Sequence, residues 1–265
     1  MPPKIALVSG HPRSGTTLLA WLLSQDPRIT VTNEHRAFMR LGASRNGYLA
    51  RLRVDDHFRR PLLPMRRGVR LFGPFASWWY AQRFRRLVEQ GAPGKVTFEE
   101  LAAHYARLFP EHKLVGDKFP QYVFHLESLL SPPELVGLVI YRDPRDVTVS
   151  ALRMVAGAWK EDPFARRMSS PAKIASRWVE AMRNIEVSGR RVIPVQYEAL
   201  VADPGRALQE LADRLGLGPI LVSANKVSMS SVGRYRHELT RAQIEEVETI
   251  AGPTMVRYGY QLGLA

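Results

Sequence analysis

The chain has 265 residues, of which 38 are Lys or Arg and 25 are Asp or Glu, so its formal net charge at pH 7 is +13. It contains no cysteine, which excludes disulfide bonds and metal sites built from thiolates. The basic excess leaves three kinds of partner open: nucleic acid, an anionic membrane surface and small polyanions.

The apolar segments of the chain are short. The N-terminal run ends at Gly10, and the longest other runs, 18–23 and 138–141, are far shorter than the ~20 residues that span a bilayer. A secretory signal also needs a longer apolar core. We therefore expect a cytoplasmic protein without a transmembrane segment.

Short runs rich in Val and Ile alternate with longer amphipathic stretches, which is typical of a parallel sheet covered by helices. Helix starts are indicated by N-cap residues, or by proline at the first helical position, at Thr97, Ser170–Pro171, Asp203–Pro204 and Thr240. We predict one α/β domain over residues 1–265, with a central, mostly parallel sheet of about five strands flanked by helices. The predicted strands are Lys4–Ser9, Arg28–Thr32, Lys113–Gly116, Leu135–Tyr141 and Arg191–Val195.

Residues 51–86 differ from the rest of the chain. They contain ten Arg, no Lys and two Asp, which gives +8 of the net charge of +13. Aromatic residues, among them Trp78, Trp79 and Tyr80, make the stretch too apolar for a disordered basic tail. We predict a helical Arg-rich insertion between the second and third strands. The alternative is an ordinary solvated face that uses Arg. For Trp78, Trp79 and Tyr80 we expect a place in the core, with a wall of the acceptor site as the alternative.

An anion site is predicted at residues 10–17, GHPRSGTT, between the first strand and an apolar helix. This order directs backbone N–H groups and the positive end of a helix dipole toward one point. Gly10 and Gly15 have the spacing of a P-loop, but Thr16 replaces its lysine and Arg13 is the cation of the loop. Because an ATP-hydrolysing site needs that lysine, a different nucleotide is indicated. The alternative is a turn that binds nothing.

A second phosphate site is predicted after the strand Leu135–Tyr141. The strand ends in Arg142 and not in the carboxylate that a Walker B strand uses for Mg²⁺. Pro144 is suited to open a helix, on which Ser150 lies about two turns in. Arg142 and Ser150 are therefore placed to approach one phosphate together, unless Arg142 pairs with Asp146.

Together the two segments resemble the sulfotransferases that use 3′-phosphoadenosine 5′-phosphosulfate (PAPS). In that family a P-[KR]-S-G-T-T loop holds the 5′-phosphosulfate, and a strand ending in R-D-P-R-D, with a Ser eight residues after the first Arg, holds the 3′-phosphate. This chain has PRSGTT at 12–17 and RDPRD at 142–146 with Ser150. Residues 195–204 resemble the Y-E-x-L-x-x-x-P segment of the family, and residues 231–234 resemble its C-terminal loop over the nucleotide.

The resemblance implies transfer of a sulfuryl group from PAPS to a hydroxyl, with 3′-phosphoadenosine 5′-phosphate (PAP) as product and no metal. It implies that Tyr197 lies near the adenine and Arg234 near the phosphates. The implied donor-binding residues are Arg13, Ser14, Gly15, Thr16, Thr17, Arg142, Ser150, Tyr197, Ser231 and Arg234. The likeness is absent over residues 40–110, where acceptor binding is expected.

The general base that takes the acceptor proton must come from elsewhere than the segment in which many members of the family have it. Members that sulfate small phenols and steroids use the His of a K-T-H-x-P segment, whereas residues 117–120 here read DKFP, with Lys118 and no His. Glu34 follows the second strand, as does the Glu base of the protein-tyrosine sulfotransferases, and that strand should end at the same sheet edge as the phosphate loop. We predict Glu34 as base and His35 as fallback, with Arg13 and Lys118 as cations on either side of the breaking bond. The alternative is that Glu34 only pairs with Arg36 or Arg40.

The sequence leaves the acceptor open: a sugar, a lipid, a secondary metabolite or a tyrosine. The Arg-rich stretch favours an anionic or membrane-presented acceptor, and no nucleic-acid partner is expected, because donor binding uses the cations at specific points of the chain. Two other functions are kept as alternatives, a P-loop kinase-like enzyme that uses ATP and a non-enzymatic polyanion-binding protein. No oligomeric state is predicted.

Overall fold

A computed structural model describes residues 3–54, 82–221 and 227–263. Most of the Arg-rich stretch, including Trp78, Trp79 and Tyr80, lies outside the described residues, and so do the predictions that concern it. The prediction that residues 1–265 form one domain stays a prediction.

One five-stranded parallel sheet lies at the centre of the described residues, in the order β2-β3-β1-β4-β5. The strands are β1 (Lys4–Ser9), β2 (Ile29–Asn33), β3 (Leu114–Lys118), β4 (Leu135–Tyr141) and β5 (Val192–Gln196). The parallel sheet confirms the predicted fold class, and β1 and β4 have the predicted bounds.

The carboxyl ends of β2, β3 and β5 extend one or two residues beyond their predicted ends. The largest correction is in β3, where Asp117 and Lys118 continue the parallel pairing opposite Leu7 and Val8 of β1. The prediction ended this strand at Gly116, whereas the two charged residues that follow still belong to it.

Helices cover both faces of the sheet. They are α1 (Thr16–Leu23), α2 (Arg45–Val54), α3 (82–89), α4 (Phe98–Leu108), α5 (Leu126–Leu129), α6 (Pro144–Ala156), α7 (Pro171–Ser188), α8 (Tyr197–Ala202), α9 (Pro204–Leu215), α10 (Tyr235–Glu238) and α11 (Arg241–Arg257). Between β2 and β3 the described residues include the helices α2, α3 and α4. No helix in the described ranges is long and apolar enough to cross a membrane.

The predicted helix starts are confirmed by their hydrogen bonds. Thr97, Ser170 and Asp203 each accept a backbone N–H of the first turn with the side chain. Thr240 forms a complete capping box with Gln243. Each such cap satisfies an N–H group that the helix itself leaves unpaired.

Alternating strand residues build two core layers. Ile5 and Leu7 of β1 pack with α4, α7 and α11, whereas Ala6 and Val8 pack with α1, α8 and α9. Burial on both faces explains why the strands read as continuous apolar runs. It also leaves the carboxyl edge of the sheet, where β1, β2, β3 and β4 end, as the place at which polar side chains meet.

Asp26 fixes the turn that leads into β2. Its carboxylate accepts hydrogen bonds from the Arg28 backbone N–H at 2.8 Å, the Arg28 guanidinium at 2.6 and 2.9 Å and the Leu221 N–H at 3.0 Å. Burial raises the pKa of Asp26, but these donors outweigh it and lower the pKa from 3.8 to about 2. Because the pKa of Asp26 is lower in the folded than in the unfolded state, its ionised carboxylate stabilises the fold at pH values above the unfolded-state pKa. This contribution is lost as the pH falls through the folded-state pKa.

Asp26→Asn is therefore expected to lower the free energy of unfolding at pH 7 by about 2 kcal/mol. The difference from the wild type should shrink between pH 4 and pH 2. Urea unfolding at pH 7, pH 4 and pH 2 measures this difference, with Asp213→Asn, at an exposed carboxylate of α9, as control. Equal stability of wild type and Asp26→Asn at pH 7 would contradict the assignment.

Candidate active site

The predicted anion site lies in the loop between β1 and α1. Ser14 N–H donates to the His11 carbonyl at 3.0 Å and closes the turn. Helix α1 begins at Thr16 without a side-chain cap, so the N–H groups of its first turn are available to an anion. Thr16 is buried and Thr17 exposed, and the buried Ser14 Oγ has no hydrogen-bond partner within the described residues.

Gly15 is required by its surroundings. Its φ is +102°, and a Cβ atom placed on it would lie 2.5 Å from the ring of Tyr197. Tyr197, predicted to lie near the adenine, is buried and packs directly beneath the phosphate loop. A larger residue at position 15 must therefore displace either the loop or Tyr197.

On the predicted assignment of this loop to the 5′-phosphosulfate, Gly15→Ala is expected to weaken PAP binding by about 10-fold or more, because a shift of the loop misaligns its N–H donors. The matched control is Gly42→Ala, since Gly42 also has a positive φ, +80°, but open space around its Cβ position. Both variants carry the strain of a left-handed alanine, about 1–2 kcal/mol. Isothermal titration with PAP separates them, and unchanged affinity in Gly15→Ala would refute the close-packing argument.

A cavity of about 200 Å³ lies beside the loop. It brings together five of the predicted donor-binding residues from three separate segments of the chain. Its lining consists of Arg13, Arg142, Asp146, Val149, Ser150, Arg153, Met154, Ser231 and Arg234. Four guanidinium groups and one carboxylate surround this space, which suits an anion of more than one charge.

Arg142 is the most enclosed cation of this cavity, with only 6% of its surface exposed. Its guanidinium donates to the Ser231 carbonyl and lies 4.4 Å from the centre of the Tyr197 ring. It also lies 3.5 Å from Asp146, so the ion pair and the predicted phosphate site occur together. Asp146 accepts the N–H groups of Gly233 at 2.8 Å and Tyr235 at 3.0 Å, which fixes the C-terminal loop against α6.

Arg13 joins this cavity. Its Nε donates to Ser150 Oγ at 3.0 Å, and burial together with the nearby charge of Arg142 lowers its pKa. The side chain thus lies at the second predicted phosphate site. Its predicted place beside the breaking bond, opposite Lys118, stays a prediction. Arg153 was missed, although its position one helical turn after Ser150 puts it on the same face of α6.

Glu34 and Lys118 meet at the ends of β2 and β3. Lys118 Nζ lies 2.9 Å from Glu34 Oε1, and Glu34 N–H donates to the Lys118 carbonyl at 2.6 Å. Lys118 is 3% exposed, whereas Glu34 keeps 28% of its side chain accessible. In the described residues, the ion-pair partner of Glu34 is therefore Lys118, which is itself a predicted catalytic residue, and not Arg36 or Arg40.

Backbone strain concentrates in these two loops. Among the described residues other than glycine, only Arg13, Glu34 and Arg36 have positive φ, at +76°, +59° and +57°. Each costs about 1–2 kcal/mol in a side-chain-bearing residue. Such strain persists only where surrounding contacts hold it, and it is typical of functional sites.

Asp117 provides these contacts for the turn after β2. Its fully buried carboxylate accepts the N–H groups of His35 at 3.0 Å and Arg36 at 2.8 Å. It also accepts the hydroxyl groups of Thr32 at 2.7 Å and of Tyr122. Burial raises the pKa of Asp117. The sequence analysis missed this residue, whose signal is an acidic residue beside the lysine at the end of a predicted strand.

His35 lies in an aromatic cluster. Its Nδ1 is 2.9 Å from the Tyr105 hydroxyl, and its ring meets the ring of Phe84 at 4.6 Å. It is only 5% exposed, so Glu34 offers the more accessible proton acceptor. Within the described ranges, no group of three or more His, Asp or Glu side chains is arranged to hold a metal ion.

Comparison with known proteins agrees with this geometry. The model of the sulfotransferase family matches residues 6–218. The chain is 26% identical over 306 aligned residues to nodulation protein NoeE of Sinorhizobium fredii (strain NBRC 101917 / NGR234). This alignment covers 99% of the chain and 67% of NoeE.

Solved structures show the same fold. The sulfotransferase domain from the Synechococcus PCC 7002 olefin synthase has a TM-score of 0.66 at 21% identity, with 98% of this chain and 96% of that one covered. The sulfotransferase domain from the curacin biosynthetic pathway has a TM-score of 0.61 at 17% identity, with 99% of both chains covered. Since the family model spans most of the chain, the protein belongs to the sulfotransferase family and is an enzyme of that family.

Proposed function

We propose that this enzyme transfers the sulfuryl group of PAPS to a hydroxyl of its acceptor. The observation that carries the proposal is the arginine-lined cavity beside the phosphate loop, in which Arg142, Ser150 and Arg234 converge. A nucleotide that carries phosphates on both the 3′ and the 5′ oxygen of its ribose needs two anion sites. We assign these two sites to the uncapped start of α1 and to this cavity, which lies beside it.

In the proposed donor complex, the N–H groups at the start of α1 and the Ser14 hydroxyl bind the 5′-phosphosulfate. Arg142, Ser150 and Arg234 bind the 3′-phosphate, and Tyr197 supports the loop from below. The buried Ser14 Oγ and Arg142 Nε have no hydrogen-bond partner in the described part of the chain, which fits this assignment because buried polar atoms require a partner.

Glu34 acts as the general base in this proposal. Its carboxylate takes the proton of the acceptor hydroxyl while a bond forms between that oxygen and sulfur. The bond from sulfur to the 5′-phosphate oxygen breaks, and PAP leaves. Lys118, at hydrogen-bond distance from Glu34, supplies positive charge to the oxygens on which charge develops. Asp117 holds the strained turn in which Glu34 lies.

An acceptor screen with PAPS labelled in its sulfuryl group tests the proposal. Hydroxyl compounds from the sugar, lipid, phenol and tyrosyl-peptide classes are incubated with enzyme and donor, and the product is identified by mass spectrometry. Label should appear in at least one acceptor, with equimolar PAP. Transfer of label from γ-labelled ATP, and none from PAPS, would support the kinase-like alternative instead.

Since the chain has no cysteine, which suits a reducing compartment, we also propose a cytoplasmic location.

A further inference from the structure

Arg177 of α7 lies at the same edge of the sheet as the proposed catalytic groups. The adjacent residue, Trp178, is fully buried and donates its Nε1–H to the Arg142 carbonyl at 2.9 Å. Arg177 itself stacks on Phe124, with its Cζ 4.2 Å from the ring centre. Phe124 belongs to the segment Pro120–His125, which directly follows Lys118 and Phe119. The Arg177 guanidinium thus lies between the segments that follow the carboxyl ends of β3 and β4.

The phosphate loop, between β1 and α1, also borders the space around Arg177. The His11 ring meets Phe124 edge-on at 6.3 Å. Its Nδ1 lies 2.9 Å from the Pro12 carbonyl and donates to it, so Nε2 carries no proton in the neutral ring. Burial lowers the pKa of His11 to about 3, and the charge of Arg177 contributes to the shift. His11 is therefore neutral at physiological pH and leaves the charge of Arg177 uncompensated.

Among the described residues, no carboxylate lies within ion-pair distance of Arg177. Its buried Nε has no hydrogen bond within the described residues, and none of the ion pairs found there includes it. Glu180 interacts with it only at longer range, and Arg167 adds further positive charge. Arg36 repeats the arrangement, since it lies 4.2 Å over the ring of Phe119 and its buried Nε has no partner in the described residues. Guanidinium groups stacked on aromatic rings are held rigidly and bind carboxylates and phosphates in two-point fashion.

We propose that Arg177 determines acceptor specificity by binding an anionic group, a carboxylate or a phosphate, carried by the same molecule whose hydroxyl reaches Glu34. This inference rests on the proposed function and narrows its substrate class from any hydroxyl compound to an anionic one. It also assigns the recognition of acceptor charge to a described residue outside the Arg-rich stretch.

The test uses ligands that differ in charge and little else. The PAP-saturated protein is titrated calorimetrically with 4-hydroxybenzoate and with its uncharged counterpart 4-hydroxybenzamide, and 4-hydroxyphenyl phosphate separates phosphate from carboxylate recognition. The titrations are run at about 0.15 M salt, where exposed charges more than about 8 Å apart are largely screened. The wild type should bind one or both anions about 10- to 100-fold more tightly than the amide, the value of one or two charge-assisted hydrogen bonds.

Three variants give the inference its specificity. Arg177→Gln should abolish the preference for the anion and leave the affinity for the amide unchanged, and Arg177→Lys should keep part of the preference. The control is Arg183→Gln, which removes the same charge from an exposed position of α7 and should behave like the wild type. Equal affinity for anion and amide in the wild type, no binding of either, or an undiminished preference in Arg177→Gln would overturn the inference.

Failure of the proposed function is seen separately. PAP stabilisation is measured in the same samples, and its absence would contradict the donor assignment. The matched ligands are then titrated into the nucleotide-free protein, so that the role of Arg177 is still decided by the difference between wild type and Arg177→Gln.

Discussion

Replacing Glu34 with glutamine is expected to lower kcat by about 10²- to 10⁴-fold, the usual contribution of a general base. Glutamine keeps the size of the side chain and an oxygen that accepts from Lys118, but it no longer takes up a proton. Because the carboxylate contacts Lys118 and not the arginine-lined cavity, PAP affinity should change by less than about 3-fold. Turnover is followed with an acceptor from the screen, and PAP affinity by calorimetry.

The control for this experiment is His35→Gln. His35 is buried against Tyr105 and Phe84, so its replacement should reduce stability more than it reduces kcat. Normal turnover in Glu34→Gln, combined with a large loss of kcat in folded His35→Gln, would transfer the role of base to His35.

Arg142→Ala is expected to weaken PAP binding by about 10- to 100-fold, because one charge-assisted hydrogen bond is worth roughly 1.5–3 kcal/mol. The comparison with AMP, which lacks the 3′-phosphate, makes the test specific. The wild type should prefer PAP strongly over AMP, and Arg142→Ala should lose most of that preference while its affinity for AMP stays unchanged.

Arg153→Ala is the matched control within the same cavity. Arg153 is 59% exposed and pairs with Glu238 at 2.8 Å, so its removal should cost less than about 5-fold in PAP affinity, as for other exposed ion pairs. If Arg142→Ala weakens PAP and AMP equally, Arg142 does not bind the 3′-phosphate, and its interaction with Ser231 and Asp146 is structural.

Much of the fold was predictable because local signals agree with it. β1 and β4 are apolar runs with a clear end, at Gly10 and at Arg142, and the predicted bounds match. The end of β3 was predicted too early, since a hydrophobic pattern stops at Asp117 even though the backbone pairing continues to Lys118. Helix starts followed from side-chain caps, which depend on residues only three positions apart.

The candidate site was predictable only in part. Motifs identified Arg13, Arg142 and Ser150, and the cavity contains all three. The contacts between motifs were not accessible, because Glu34 and Lys118 are 84 residues apart in sequence and Arg13 and Ser150 are 137 apart. Nor does any pattern indicate that a buried carboxylate such as Asp117 receives four hydrogen bonds, since its donors come from β2, from the turn that follows β2 and from Tyr122.

The measurement that tests the donor assignment most directly is a thermal unfolding series with PAP, AMP and ATP plus Mg²⁺. A ligand at 100 times its dissociation constant adds about 2.7 kcal/mol to the stability of the folded state. For a protein of this size that raises the Tm by roughly 5–10 °C. PAP should produce this shift, and AMP and ATP with Mg²⁺ should produce little or none. Stabilisation by ATP with Mg²⁺ but not by PAP would contradict the proposal that this sulfotransferase uses PAPS.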